Sequence, residues 1–146
     1  MINIEMAKDY MLRAERCLRE ARLALNEGDA PSTIRRSQEA LELMTKAYLR
    51  LIGIEYPKSH DISDILLEYR DRLSQELRNN IEDLSKLISE LASIRGPAFY
   101  GYEREGIPAS QAFSINYARE IFTKVEKYIR LIKNLIENIL INSYKN

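Results

Sequence analysis

The sequence predicts an all-α fold: an antiparallel, up-and-down four-helix bundle with one additional short helix. Three observations predict it. Apolar residues recur three and four apart along nearly every segment. No segment of useful length alternates with the period of two that marks a half-buried strand. Five glycines and four prolines in 146 residues leave room for few turns, so the elements must be long.

The first helix carries Ile4, Ala7, Met11, Ala14, Leu18, Ala21 and Leu25 on one seam. Alanine at every second seam position lets a neighbour approach closely. Gly28 and Asp29 end it, and Pro31 suits the first turn of the next helix. That second helix spans roughly Pro31 to Ile52 on a seam of Ile34, Ser37, Leu41, Met44, Tyr48 and Leu51, and Gly53 terminates it. A loop holding Pro57 follows. The short helix runs roughly from Ile62 to Leu73 with Asp61 as its N-cap.

The next long helix extends roughly from Gln75 to Arg95 on a stripe of Leu77, Ile81, Leu84, Leu87, Ile88, Leu91 and Ile94. Gly96 and Pro97 are expected to stop it, leaving Phe99 to Ala109 as a polar, aromatic loop. The last helix starts near Ser110 and reaches about Asn142, with Ile121, Phe122, Val125, Ile129, Ile132, Ile136 and Ile139 along one side.

A chain of this length is one domain, residues 1–146, and can bury a core without staples. The 22 basic residues balance the 22 acidic ones. A dedicated double-stranded DNA binder carries a basic excess, because phosphate contacts supply most of its affinity, so that class is set aside. The single cysteine, Cys17, excludes an intramolecular disulfide and reads as a small packed residue. With one histidine and one cysteine, no metal site is expected within the chain, and no cofactor is implied. No apolar run is long enough to span a bilayer, and no basic start leads into an apolar run, so the expected compartment is the cytoplasm.

Two stretches carry chemistry. The second helix holds Gln38, Ala40, Glu42, Lys46 and Ala47 in the frame Q-x-A-x-E-x-x-x-K-A, and the loop after it holds Gly53, Pro57, His60 and Asp61 in the frame G-x-x-x-P-x-x-H-D. Downstream, Arg95 is followed by four residues, then Tyr100, one residue and Tyr102, the frame R-x4-Y-x-Y. In order and spacing these motifs resemble the HEPN domain family over nearly the whole chain. Many members of that family carry R-x4-6-H near the end of a long helix, extended in some groups to R-x4-H-x-Y. Here the arginine and the final tyrosine match, and Tyr100 occupies the histidine position.

The resemblance implies nucleotide or RNA binding and a homodimer in which the motif arginines of two chains share a cleft. In members that cut RNA it implies metal-independent attack by the ribose 2′-hydroxyl, which needs a proton acceptor near neutral pH. An unperturbed tyrosine titrates near pH ~10 and serves poorly in that role, though it can donate a hydrogen bond or stack on a base. The leading expectation is therefore phosphate binding without catalysis, with Arg95 as the anion contact and Tyr100, Tyr102, His60, Glu42 and Lys46 around it. The alternatives are a toxin-like ribonuclease in which Tyr100 or His60 stands in for the usual histidine, and an interaction partner of a minimal nucleotidyltransferase, which the resemblance links to Tyr102.

Plainer readings stand beside these. Arg95 can complement the negative end of its helix. Tyr100 and Tyr102 can pack as a lid with hydroxyls outward. His60 can orient its loop or cap the short helix. Glu42 and Lys46, four apart, can form a surface ion pair. Arg35 and Arg36 are expected on a solvated face, as are the basic residues of the last helix.

Overall fold

The computed structural model describes the backbone of residues 2–145 and the side chains of residues 2–143. α1 (Ile4–Asn26) starts where the Asn3 side chain accepts the Met6 amide. Ala7, Ala14 and Ala21 are fully buried along its seam, and the absence of longer side chains there brings α2 (Ala30–Leu51) close. The link between them is tied at both ends. The Asp29 amide returns to the Ala24 carbonyl, while the Asp29 carboxylate accepts the Ser32 amide at the start of α2.

Ion pairs and hydrogen bonds report the helix directions. Arg36 meets Glu20, and Cys17 meets Glu39, so α1 and α2 run antiparallel. Gln38 meets Arg95, and Arg35 meets Phe99, so α2 and α5 (Ile81–Tyr100) run antiparallel. Tyr128 donates to Asp83, and Tyr117 to Glu90, which sets α7 (Ile115–Lys145) against α5. Glu15–Lys133 and Arg22–Glu126 close the ring between α7 and α1. This is the up-and-down four-helix bundle, with α2 as the hub packed on α1, α5 and α7. Its core takes Ile34, Leu41, Met44 and Leu49 from α2, Leu84 and Leu91 from α5, and Val125, Ile132 and Ile136 from α7. Each such side chain stabilises the fold by about 1.5–3 kcal/mol.

The connections differ from the sequence expectation in four places. The short helix is α3 (Ser63–Glu68), followed by a 3₁₀ turn at Arg70–Arg72. Asp61 does steady its start, but as a turn one residue before the helix cap: its carboxylate accepts both the amide and the hydroxyl of Ser63.

The helix expected from Gln75 to Arg95 is broken at Asn80 into α4 (Gln75–Asn79) and α5. Asn80 turns its amide side chain back to the Glu76 carbonyl and closes α4, while its own carbonyl accepts the Leu84 amide and opens α5.

At the other end, Gly96 and Pro97 do not stop α5, which continues to Tyr100. A proline crowds the Cβ of the residue before it, and Gly96 has none. Beyond the proline the ladder resumes, with the Gly101 amide on the Pro97 carbonyl at 2.7 Å. Arg95 is thus an interior residue of α5, not a charge at the helix end. The loop starts at Gly101 and contains a minimal hairpin in which Tyr102 and Ile107 exchange backbone bonds.

The last helix is divided as well. α6 (Ala109–Ala112) is a single turn, and Ser114 caps α7 by accepting the Tyr117 amide.

Candidate functional site

Gln38, Glu42 and Lys46 lie four apart on α2 and therefore on one helical face, which looks toward α5 and the loop before α3. That loop is folded back by the Ser59 amide on the Pro57 carbonyl and by the Ser59 hydroxyl, which engages both the carbonyl and the amide of Asp61. The Lys46 ammonium donates to the Ser59 carbonyl at 2.8 Å and pins the loop to α2. His60 is carried into the groove as a result.

Five side chains then form a closed network. Glu42 Oε1 accepts from His60 Nδ1 at 2.7 Å and from Gln38 Nε2 at 2.8 Å, and Glu42 Oε2 accepts from Lys46 Nζ at 3.1 Å. Arg95 Nε donates to Gln38 Oε1 at 3.1 Å, and Arg95 Nη1 lies 2.7 Å from His60 Nε2. A guanidinium only donates, so His60 Nε2 accepts. The proton of the neutral ring is therefore on Nδ1, donated to Glu42.

Burial is the largest single influence on the Glu42 carboxyl and pushes its pKa up. The donors Gln38, His60 and Lys46 together outweigh it and hold the pKa below the ordinary glutamate value. Glu42 and Lys46 are paired as expected but not on the surface: their side chains are 17% and 10% exposed. His60 neither caps α3 nor packs inward; it is half exposed and joins α2 to α5.

Glu42, His60 and Arg95 of the network line a cavity of about 390 Å³ between α1, α2 and α5. Arg13, Arg16 and Arg36 also line it, with Glu20 and Glu39. Arg36, expected on a solvated face, bridges Glu20 at 3.1 Å and Glu39 at 2.8 Å. Cys17 also lines the cavity, yet burial first, then the Glu39 and Glu20 carboxylates, push its thiol up to about 11. It is a protonated packed group and not a nucleophile.

Tyr100 and Tyr102 do not join the network. Tyr100 is 65% exposed and meets Phe99 edge to face with ring centroids 4.5 Å apart. Tyr102 leans on Phe113 from the hairpin. The aromatic residue on the face of Arg95 is Phe99, one helical turn further along, and the Arg35 guanidinium lies 4.4 Å from its ring centroid. Sequence reading passed over Phe99 and placed Arg35 in solvent. The i,i+4 spacing from Arg95 to Phe99 and the i,i+3 spacing from Arg35 to Gln38 are the signals that point to both.

Among the described residues no helix is long and apolar enough to cross a membrane, and no group of histidine, cysteine, aspartate or glutamate residues forms a metal-binding cluster.

Fold and groove together define a small helical-bundle protein whose polar site joins Gln38, Glu42 and Lys46 of one helix to an arginine of the next through a loop histidine. The chain belongs to the HEPN domain family, whose model matches residues 7–135, from the first turn of α1 to well into α7. The family works generally with nucleotides and RNA, and its members commonly dimerise. No curated protein and no solved structure matches the chain.

Proposed function

We propose that the chain binds the phosphate of a nucleotide or of RNA through Arg95, and that it does so as a homodimer. The observation that carries the reading is the state of the Arg95 guanidinium. Two uncharged partners, Gln38 Oε1 and His60 Nε2, hold it in place. It makes no ion pair with a carboxylate of the described residues, and it lines the cavity. A cation fixed by neutral groups and facing a cavity is prepared for an anion, because the cost of ordering it has been met before the ligand arrives. Glu42 and Lys46 position the site from behind. Phe99, with Arg35 over its ring, offers a stacking surface one turn away. Tyr100 buttresses that surface from the side.

Beside that surface the exposed Tyr100, Tyr102 and Ile107 sit at the end of α5 and on the hairpin after it. A second copy covering this patch would bring two Arg95 grooves side by side.

Calorimetry with adenosine monophosphate and a short RNA tests the reading on the native chain and on Arg95→Ala. The variant is expected to bind at least tenfold more weakly, about 1.4 kcal/mol, while sedimentation of the native sample reports a dimer. Equal affinity in both chains, or none in either, removes the proposal.

One observation favours a second reading, metal-independent endoribonuclease. Glu42 holds His60 in the tautomer whose Nε2 accepts a proton, the arrangement a general base requires. In this reading a bound phosphate draws Arg95 off Nε2. The freed lone pair takes the proton of a 2′-hydroxyl, that oxygen attacks the adjacent phosphorus, and the 5′-oxygen departs and is protonated, leaving a 2′,3′-cyclic phosphate. Structured and unstructured RNA incubated in chelator should then be cut, and His60→Ala should cut about a hundredfold more slowly. RNA left intact by concentrated native protein rejects this reading and leaves the binding proposal standing.

A further inference from the structure

On the far side of the Glu42–His60 pair the groove continues into a second cavity, of about 360 Å³, lined by Tyr10, Lys46, Arg50, Tyr56, Lys58 and Ser59. The two cavities share Glu42, Leu43 and His60 as a common wall. Either one alone is at the small end of the range for single-ligand sites, about 300–1,000 Å³.

The second cavity differs from the first in charge. It presents three cations, Lys46, Arg50 and Lys58, and its one carboxylate, Glu42, is already taken up by Gln38, His60 and Lys46. Arg50 is held in place: its Nε donates to the Tyr56 hydroxyl at 2.8 Å, and its guanidinium lies 5.3 Å from the Tyr56 ring centroid and 5.6 Å from that of Tyr10. Lys46 lies 5.2 Å from the same Tyr56 ring. Anion donors framed by two aromatic rings are the combination that takes the backbone and bases of single-stranded nucleic acid.

From Glu42 to Arg50 is two turns of α2, about 12 Å along the axis. A stacked strand advances about 3.4 Å per nucleotide, so a mononucleotide held at Arg95 does not reach Arg50; the span takes roughly four or more phosphate-to-phosphate steps, which a strand of eight nucleotides supplies.

Building on the Arg95 reading, we propose that the Tyr10–Arg50–Tyr56–Lys58 cavity is a second subsite, and that the ligand is a single-stranded oligonucleotide. The strand passes over the Glu42–His60 wall, with one phosphate at Arg95 and a later one at Arg50 and Lys58. The groove thereby selects for chain length.

Fluorescence anisotropy with labelled oligoadenylate RNA of two, four and eight nucleotides, with adenosine monophosphate as competitor, tests this. The octanucleotide is expected to bind at least tenfold more tightly than the mononucleotide. Arg50→Gln combined with Lys58→Gln should bring the octanucleotide close to the mononucleotide affinity and leave the mononucleotide unchanged. It should also lower the slope of log affinity against log salt by about 1.4, two phosphate contacts at about 0.7 each on a single strand. Lys58→Gln alone changes only an exposed side chain, so it gives half of that slope change even if the double variant folds poorly.

Mononucleotide binding that depends on Arg95 but shows no gain with length overturns the second subsite and leaves the Arg95 site intact. Equal weakening of both ligands by the double variant overturns it too, as does a duplex that competes as well as the single strand. Absence of binding by every probe overturns both proposals.

Discussion

Glu42→Ala should destabilise the chain by about 3 kcal/mol, the lower end of the cost of removing one partner from a buried ion pair. The lower end applies because water still reaches the pair in part, the two side chains being 17% and 10% exposed. The loss falls on more than one contact. Lys46 loses its carboxylate in a site that excludes most water and is left, among the described residues, with the Ser59 carbonyl as acceptor. The Gln38 amide and the His60 Nδ1–H lose their acceptor together. The loop that carries His60 keeps its ties through Lys46, Arg95 and the Arg50–Tyr56 bond, but the histidine ring loses its anchor on α2, so affinity for phosphate should fall along with stability.

Glu42→Gln retains the shape and one acceptor, and should cost less than the alanine variant. The two can also be told apart by pH. Because the folded chain holds the Glu42 carboxyl below its unfolded value, its contribution is complete above the unfolded pKa, about 4.3. It is lost as pH falls through the folded value. Urea midpoints measured from pH 7 down to pH 3 should therefore decline more steeply for the native chain than for Glu42→Gln. An unfolding free energy for Glu42→Ala within about 1 kcal/mol of native at pH 7 would show that the network is peripheral to the fold.

The bundle was legible because each long helix buries one stripe, and a buried stripe writes itself into the sequence as a three-four spacing. Ala7, Ala14 and Ala21 even announced the close approach of α1 to α2. The break at Asn80 left no such mark. Leu77, Ile81 and Leu84 keep the stripe in phase across it, and the interruption lies in the backbone and in one amide side chain. Gly96–Pro97 misled for the opposite reason. Proline is normally a stop, and the missing Cβ at Gly96 removes one of the clashes that would end α5 there.

That single misreading displaced part of the site. With the helix assumed to end at Arg95, Tyr100 had no fixed direction relative to it. In a helix that runs on, five residues at about 100° each place Tyr100 roughly 140° around the axis from Arg95, and Phe99 nearly in line with it. The α2 residues were easier, since Gln38, Glu42 and Lys46 share a face by spacing alone. That His60 and Arg95 meet on that face is a matter of loop path and helix pairing, which no local pattern encodes. The second cavity was hidden in the same way: Tyr10, Arg50, Tyr56 and Lys58 come from α1, α2 and the loop, and are gathered only by folding.

Gly101→Ala should cost about 3 kcal/mol, nearly all of it at the end of α5. Gly101 has φ 74° and ψ −165°, a region essentially closed to residues with a side chain, and such strain costs about 1–3 kcal/mol. Space is lacking as well. A Cβ there would fall 2.3 Å from the Ile107 carbonyl oxygen and 2.8 Å from the Ala109 amide nitrogen. Both are backbone atoms, so no side chain can swing aside; relief requires opening the Tyr102–Ile107 hairpin, whose two bonds of 2.8 and 3.0 Å fix its register. The consequences should be ordered by distance. Amides of residues 101–113 should lose hydrogen-exchange protection first, because opening is local. The Tyr102 contact with Phe113 should go with them. The Arg95 network, a turn and a half earlier on α5 and braced by α2, should keep its protection and its affinity for a mononucleotide. If dimerisation uses the Tyr100–Ile107 patch, the variant should also dissociate at concentrations where the native chain is paired. Protection lost evenly along α5, or phosphate affinity lost with the hairpin intact, would contradict this separation between the end of the helix and the groove.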